Sequence, residues 1–239
     1  MVLLRESLAG LIHLFYPKLC EGCGKPLVAK EEVVCLSCSL ELPETNYTDI
    51  ENNETALRFA GRIPFIYATT YAYFTEDGLL QHLLHGLKYK NKQEIGYFLG
   101  MQLGLAIQKS LTQKTDKGHP LIDLIVPVPL HAAKQAKRRY NQSLLIAEGI
   151  THILKIPVCH DAVLRVKDTD SQTKKTRSER IDNMSDAFKI NSKYSFEDKH
   201  ILLCDDVLTT GATLEACAQA LLARKSIKIS FATIGIAIS

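Results

Sequence analysis

The stretch "ILLCDDVLTTGATLEACAQAL", residues 201–221, sets three signals side by side. Ile201–Leu203 is a continuous aliphatic run, the pattern of a strand buried on both faces of a parallel sheet. From Thr213 onward, Leu214, Ala218, Leu221 and Leu222 fall on one face of a helix, with good helix formers between them. The polar residues Asp205–Ala212 are expected to form the turn between the two. Such a turn leaves unpaired N–H groups at the start of the helix, and that is an anion site. Phosphate fits it. The adjacent acids Asp205 and Asp206 would repel phosphate, so they are expected to face ribose hydroxyls or a bound cation.

The rest of the turn suits the same ligand. Thr209, Thr210 and Thr213 supply hydroxyl donors, and Gly211 lets the backbone come close without a Cβ. With the amides of residues 209–213 they could surround a phosphate monoester. The plainer alternative is an N-capped strand–helix turn whose acids are favoured by the helix dipole. That alternative has no need of two acids followed by T-T-G-x-T.

At 239 residues, 46% of them hydrophobic, the chain can form one sizeable α/β domain with a small appendage. Aromatic residues are 7% and Trp is absent, which disfavours a base-stacking nucleic-acid platform. A net charge of +3 is too small to imply polyanion binding. No apolar run is long enough to span a bilayer. The opening "MVLLRESLAGLIHLFYP" lacks a basic start and a small-residue cleavage site, and Arg5 and Glu6 interrupt its apolar run. Its leucines recur at helical spacing, so a short amphipathic helix and a cytoplasmic protein are expected; a membrane-surface helix is the alternative.

Cysteine usage agrees with that compartment. Cys20, Cys23, Cys35 and Cys38 form C-x2-C-x11-C-x2-C, two knuckles able to place four thiolates around one tetrahedral zinc ion. Two disulfides, or a chance pairing of C-x2-C units in a reducing cytosol, are the alternatives. With four ligands the zinc would be structural, with no open position for catalysis. Gly22 and Gly24 are expected to tighten the first knuckle. Cys159, Cys204 and Cys217 read as buried structural thiols.

Three divisions follow: 1–42 as leading helix and zinc module, 43–62 as a linker or ordered loop, and 63–239 as the main domain. Strands are expected at 66–74, 123–129, 158–166, 186–190, 200–204 and 228–238, and helices at 76–90, 94–111 and 141–154. Strands interleaved with helices make a mostly parallel sheet with helices on its faces. Ligands of such sheets bind beyond the carboxyl ends of the strands. "PVPLHAAKQAKRRYNQS", "RVKDTDSQTKKTRSERIDN" and "DDVLTTGAT" are the polar segments expected to meet there.

"DDVLTTGAT" closely resembles the phosphoribosyl pyrophosphate motif of type I phosphoribosyltransferases. Together with "HGLKY", "VPVPLH", "RRYNQS", "SQTKKTRSERIDNMSDAF" and the four-cysteine module, it makes the chain similar to the ComF family of competence-associated phosphoribosyltransferase-like proteins. The resemblance implies a type I phosphoribosyltransferase core, Mg2+ bound with phosphoribosyl pyrophosphate, and a role in DNA uptake during natural transformation. It implies that Asp205 and Asp206 hold the ribose, with Val207 and Leu208 leading into the phosphate cup of Thr209, Thr210, Gly211, Ala212 and Thr213. Val128, Pro129, Leu130 and His131 would form the pyrophosphate-side loop, where such enzymes expose backbone amides, sometimes through a strained peptide.

Lys88 would be a further phosphate partner, against the alternative of a solvated cation at a helix end. Arg138 sits in the family's Arg-Gly-aromatic-Asn-Gln pattern, with Arg139 in place of the glycine. The basic segment 165–180 reads by composition as a solvated mobile loop. The resemblance implies that it closes over the site, with Gln172, Arg177 and Arg180 as candidates to reach pyrophosphate or the second substrate. The implied chemistry is transfer of a pentosyl phosphate group, a glycosyltransferase reaction. The alternative is a non-catalytic sensor of phosphoribosyl pyrophosphate, or an adaptor contacting single-stranded DNA or DNA-uptake proteins. A transcriptional regulator would need a helix-turn-helix signal, and the sequence shows none.

Overall fold

The computed structural model describes residues 17–238, apart from 48, 50, 113–120, 167–186 and 225. The expected leading helix, over residues 1–16, lies outside the described residues. The elements run α1 (Leu36–Glu41), α2 (Glu54–Phe59), β1 (Ala68–Phe74), α3 (Leu79–Tyr89), α4 (Gln93–Thr112), β2 (Leu124–Pro127), α5 (Ala132–Arg138), α6 (Gln142–Leu154), β3 (Val163–Arg165), β4 (Phe188–Ile190), β5 (His200–Leu208), α7 (Ala212–Leu222) and β6 (Lys228–Ala237).

Four strands form a parallel sheet in the order β1-β6-β5-β2, with β5 and β6 at its centre. Burial explains that placement: every residue from Ile229 to Ile236, and from His200 to Cys204, is buried, as the aliphatic runs require. Both edges are covered. Pro43–Thr45 runs antiparallel beside β1, with Thr45 N donating to Tyr71 O at 2.9 Å and Tyr73 N to Pro43 O at 2.8 Å. On the other side Cys159 N donates to Ile125 O at 2.9 Å. The expected strand at 158–166 is therefore a single bridge at Val158 followed by the short β3, which pairs antiparallel with β4.

Two apolar layers flank the sheet. On one face Leu80, Leu83, Leu84 and Leu87 of α3, Leu99 and Leu103 of α4, and Ile146 and Ile150 of α6 share a core with Leu202 and Cys204. The opposite layer holds Phe59 of α2, Leu214 and Leu221 of α7, and Val163 and Phe188 of the small ribbon. Helices α4 and α6 touch backbone to backbone: a Cβ on Gly100 would lie 2.2 Å from Ile146 O, and one on Gly149 2.2 Å from Tyr97 O.

Residues 43–62, polar enough to suggest a linker, carry α2. Its Phe59 is fully buried and stacks on Phe231 at 4.1 Å between ring centroids. The few apolar residues of α2 do the anchoring, and composition averaged over the segment hides them. Helix α5 has no buried residue, which is why it carries no apolar periodicity.

Candidate phosphate site and cysteine centre

The crevice follows from the topology. After β2 the chain passes through α5 to α6 on one face, and after the adjacent β5 it passes to α7 on the other. Neighbouring parallel strands whose helices depart to opposite faces leave a cleft at their carboxyl ends. Residues 128–131 and 209–211 are its two lips.

Strand β5 is longer than its apolar run. It stays paired with β6 as far as Leu208, so Asp205 and Asp206 lie in the strand rather than in the turn. Helices of one face meet both carboxylates. Ser143 Oγ, in the first turn of α6, donates to Asp205 Oδ1 at 2.8 Å. Lys88 Nζ, at the end of α3, lies 2.6 Å from Asp206 Oδ2. The pair is tied internally as well, with Asp206 N donating to Asp205 Oδ1 at 2.9 Å and Val207 N to Asp206 Oδ1 at 2.6 Å. Burial, then the neighbouring Asp206 charge, push the Asp205 carboxyl up to about 7 against the pull of Ser143, the Asp206 amide and Lys88.

Thr209 and Thr210 are exposed, and Thr213 half-buried, around the start of α7. Gly211 caps that helix with φ +80°, a left-handed conformation that suits glycine. No side chain of Gly211 can bond the first-turn amides; Ala212 N lies 3.4 Å from Thr210 Oγ1, and Glu215 N donates to Gly211 O at 2.9 Å. Val207 and Leu208 turn their side chains into the two cores, leaving backbone atoms alone for a ligand.

On the opposite lip Val128 is committed: its N–H donates to Cys204 O at 2.9 Å and its carbonyl accepts from Asn141 Nδ2 at 3.0 Å. Pro129 has no N–H, so the amides this lip can offer begin at Leu130. His131 caps α5, its Nδ1 accepting from Ala133 N at 3.4 Å. Arg138 donates to Gln142 Oε1 at 3.0 Å and lies over the exposed Tyr89 ring at 5.4 Å. Arg139, standing where the family pattern has glycine, keeps the glycine-like backbone, with φ +68° as the C-cap of α5.

The crevice thus gathers Lys88, Asp205, Asp206 and the Thr209–Thr213 turn from segments far apart in sequence. Sequence reasoning passed over Ser143 and Asn141, although an Asn before an apolar helical run is an N-cap signal. It also passed over Arg62 and Phe59 beside Gly211, for which local sequence carries no signal. Gln172, Arg177 and Arg180 lie outside the described residues.

The second centre is the cysteine cluster. The ligand sulfurs of Cys20, Cys23, Cys35 and Cys38 lie within 4.8 Å of one another. A tetrahedral ion with Zn–S near 2.3 Å sets its sulfurs about 3.8 Å apart, and Cys23 and Cys35 stand at 3.7 Å. Backbone amides point at the sulfurs: Cys35 N lies 3.2 Å and Gly22 N 3.4 Å from Cys20 Sγ. Burial raises the Cys20 thiol, but the amides of Cys23, Cys35 and Gly22 outweigh it and bring it down to about 7. Gly24 takes φ +72°, as the turn requires, whereas Gly22 is needed for space, since a Cβ there would lie 2.9 Å from Cys38 Sγ. The module is docked on the main domain by the Lys92–Glu21 ion pair at 2.7 Å and by a core shared with α3. Among the described residues, no helix is long and apolar enough to cross a membrane.

Residues 140–237 match the phosphoribosyl transferase domain family, an interval that holds α6, β5, α7 and β6. The chain is similar to Competence protein F of Haemophilus influenzae, 34% identical over 143 residues, which cover 59% of this chain and 61% of that protein. It is similar to the DNA utilization protein YhgH of Salmonella typhi, 33% identical, covering 60% and 61% respectively. Competence protein ComFC of Bacillus subtilis is 33% identical over 99 residues, 41% of this chain and 38% of that one. The matches thus span about 61% of the length of the first relatives. Among solved structures, adenine phosphoribosyltransferase from Leishmania tarentolae aligns at 14% identity over 56% of this chain and 70% of that one, with a TM-score of 0.34.

Proposed function

We propose that the chain is a ComF-family, phosphoribosyltransferase-like protein and that it binds phosphoribosyl pyrophosphate with Mg2+ in the β2/β5 crevice. The observation that carries this reading is the junction of a carboxylate pair with an open helix start. The Thr209–Thr213 turn accepts the 5′-phosphate on hydroxyls and first-turn amides. Asp206, and Asp205 once ionised, accept hydrogen bonds from the vicinal ribose hydroxyls. Lys88 leaves Asp206 for a phosphate oxygen, and the amides from Leu130 onward, with Arg138, face the pyrophosphate.

In group transfer, a nitrogen of an acceptor bonds to the anomeric carbon as the bond to the pyrophosphate oxygen breaks, and pyrophosphate leaves with the electron pair. The chain's part is to hold both ends of the donor rigidly and to stabilise the charge on the leaving oxygens. Asp205 and Asp206 would present hard oxygens to Mg2+, and ligand oxygens and water would complete its shell. When bound, the ion neutralises pyrophosphate charge.

Labelled phosphoribosyl pyrophosphate with Mg2+ tests the reading. The wild type is expected to bind, and Asp206→Ala or Thr210→Val to lose at least ten-fold in affinity, since each removes a hydrogen bond to a charged or polyhydroxyl ligand. Unchanged affinity in both variants contradicts it. Release of pyrophosphate with a panel of bases and amines then separates an enzyme from a sensor.

We further propose that the cysteine centre holds structural zinc and that the protein acts in the cytoplasm in DNA uptake. The names of its relatives and the basic rim support a DNA role. Lys134, Lys137, Arg138 and Arg139 lie on or directly after the surface helix α5, which has no acid, and Tyr89 beside them is 62% exposed. Affinity for single-stranded DNA should fall log-linearly with salt if this rim binds it. Binding independent of salt, or none at moderate ionic strength, leaves the small-ligand reading alone.

A further inference from the structure

The phosphate turn is held from outside by a residue that belongs to none of the motifs. Arg62, just beyond α2, donates from Nη1 to Thr210 O at 3.0 Å, and from the same nitrogen to Arg58 O at 3.0 Å. Its Nη2 pairs with Glu215 Oε2 in the first turn of α7. Directly beneath, the Phe59 ring approaches Gly211 so closely that a Cβ there would lie 3.1 Å from Cε1. Phe59 is itself fixed by its stack on Phe231, and Arg58 ties α2 to the end of β6 through Ala237 O at 3.1 Å. The outer wall of the turn is therefore anchored to the central sheet.

Two physical consequences follow. In a planar trans peptide the C=O and N–H point opposite ways. With Thr210 O pinned toward Arg62, the Gly211 N–H faces away from Arg62. The second consequence concerns charge. Glu215 is a carboxylate one turn into the helix whose N-terminus would hold phosphate, and its negative charge opposes an anion there. Arg62 pairs that charge.

We infer that Arg62 is a positioning residue for the 5′-phosphate: it sets the Thr210–Gly211 peptide in its anion-accepting orientation and neutralises Glu215, without touching the ligand. This rests on the phosphate reading of the turn. It also assigns a purpose to residues 53–62, which form the back of the site.

Titration calorimetry with two probes, ribose 5-phosphate and Mg2+–pyrophosphate, tests the inference. Arg62→Ala should weaken ribose 5-phosphate at least ten-fold and pyrophosphate less than two-fold, because pyrophosphate occupies the other lip. Arg62→Lys, which keeps the charge but not the forked geometry, should fall between. Adding Glu215→Gln to Arg62→Ala should recover part of the loss and leave the remainder that belongs to the peptide orientation. Equal weakening of both probes would mean general collapse of the site and overturn the inference, as would an unchanged ribose 5-phosphate affinity in Arg62→Ala. Failure of the wild type to bind ribose 5-phosphate overturns the phosphate reading, and this inference with it.

Discussion

The cysteine knuckles at 20–38 and the crevice between β2 and β5 both concentrate polar atoms, but they solve opposite problems. In the knuckles every sulfur faces the other three, and backbone amides close the shell from behind. Four sulfurs around one tetrahedral ion would leave no open position to react. In the crevice the groups face outward: threonine hydroxyls exposed, a helix start without a side-chain cap, and two carboxylates held by Ser143 and Lys88. Its order comes from the sheet behind it. A closed centre should fail when emptied, whereas an open one should survive emptying and fail only in binding.

Removing metal should produce the largest effect. Zinc binding to small four-ligand modules carries on the order of 10 kcal/mol of apparent free energy. Purified protein is expected to contain one zinc per chain. Cys35→Ser should lose it and make residues 18–42 protease-sensitive while the sheet stays protected from hydrogen exchange. A metal-free protein with an intact, protected module would break the contrast.

On the crevice side, Gly211→Ala forces a Cβ into a left-handed position against Phe59. A destabilisation of about 1–2 kcal/mol is expected, measurable by urea unfolding, with a disproportionate loss of ribose 5-phosphate affinity.

Asp205 gives a pH signature. Its carboxyl is raised from 3.8 to about 7 in the fold, chiefly by burial. The unfolded chain therefore ionises first. Stability from this group is fully present below the unfolded value and is lost as pH rises toward about 7. Asp205→Asn should flatten that decline in the ligand-free protein. An unchanged pH profile of urea midpoints would show that Asp205 does not titrate in this window.

The smallest effect is expected at Arg139, whose φ of +68° is one that glycine adopts freely. Arg139→Gly relieves that strain but gives the unfolded chain more freedom, for a net gain of about 0.5 kcal/mol. For a chain of this size the thermal midpoint should rise by about 1–2 °C. A fall would show that the Arg139 side chain makes a contact outweighing its backbone strain.

The same contrast explains what sequence could reveal. The knuckles are local, with four ligands within nineteen positions (20–38), so spacing alone exposes them. The Thr209–Thr213 turn is equally local. The extent of β5 is not: Asp205 and Asp206 belong to the strand because β6 pairs alongside them, a fact no polar residue announces. Phe59 and Arg62 reach Gly211 and Thr210 across about 150 residues of chain, and their own segment reads as polar connection. The long helices α3, α4 and α6 were legible because each buries a periodic face. Helix α5 was not, because it buries nothing.

The most direct measurement is a crystal grown with ribose 5-phosphate and Mg2+. The phosphate should sit on the first-turn amides of α7, cupped by Thr209, Thr210 and Thr213, with the ribose hydroxyls on Asp206 and Asp205. Sugar phosphate bound elsewhere, or a cup filled by the protein's own side chains, would contradict the account.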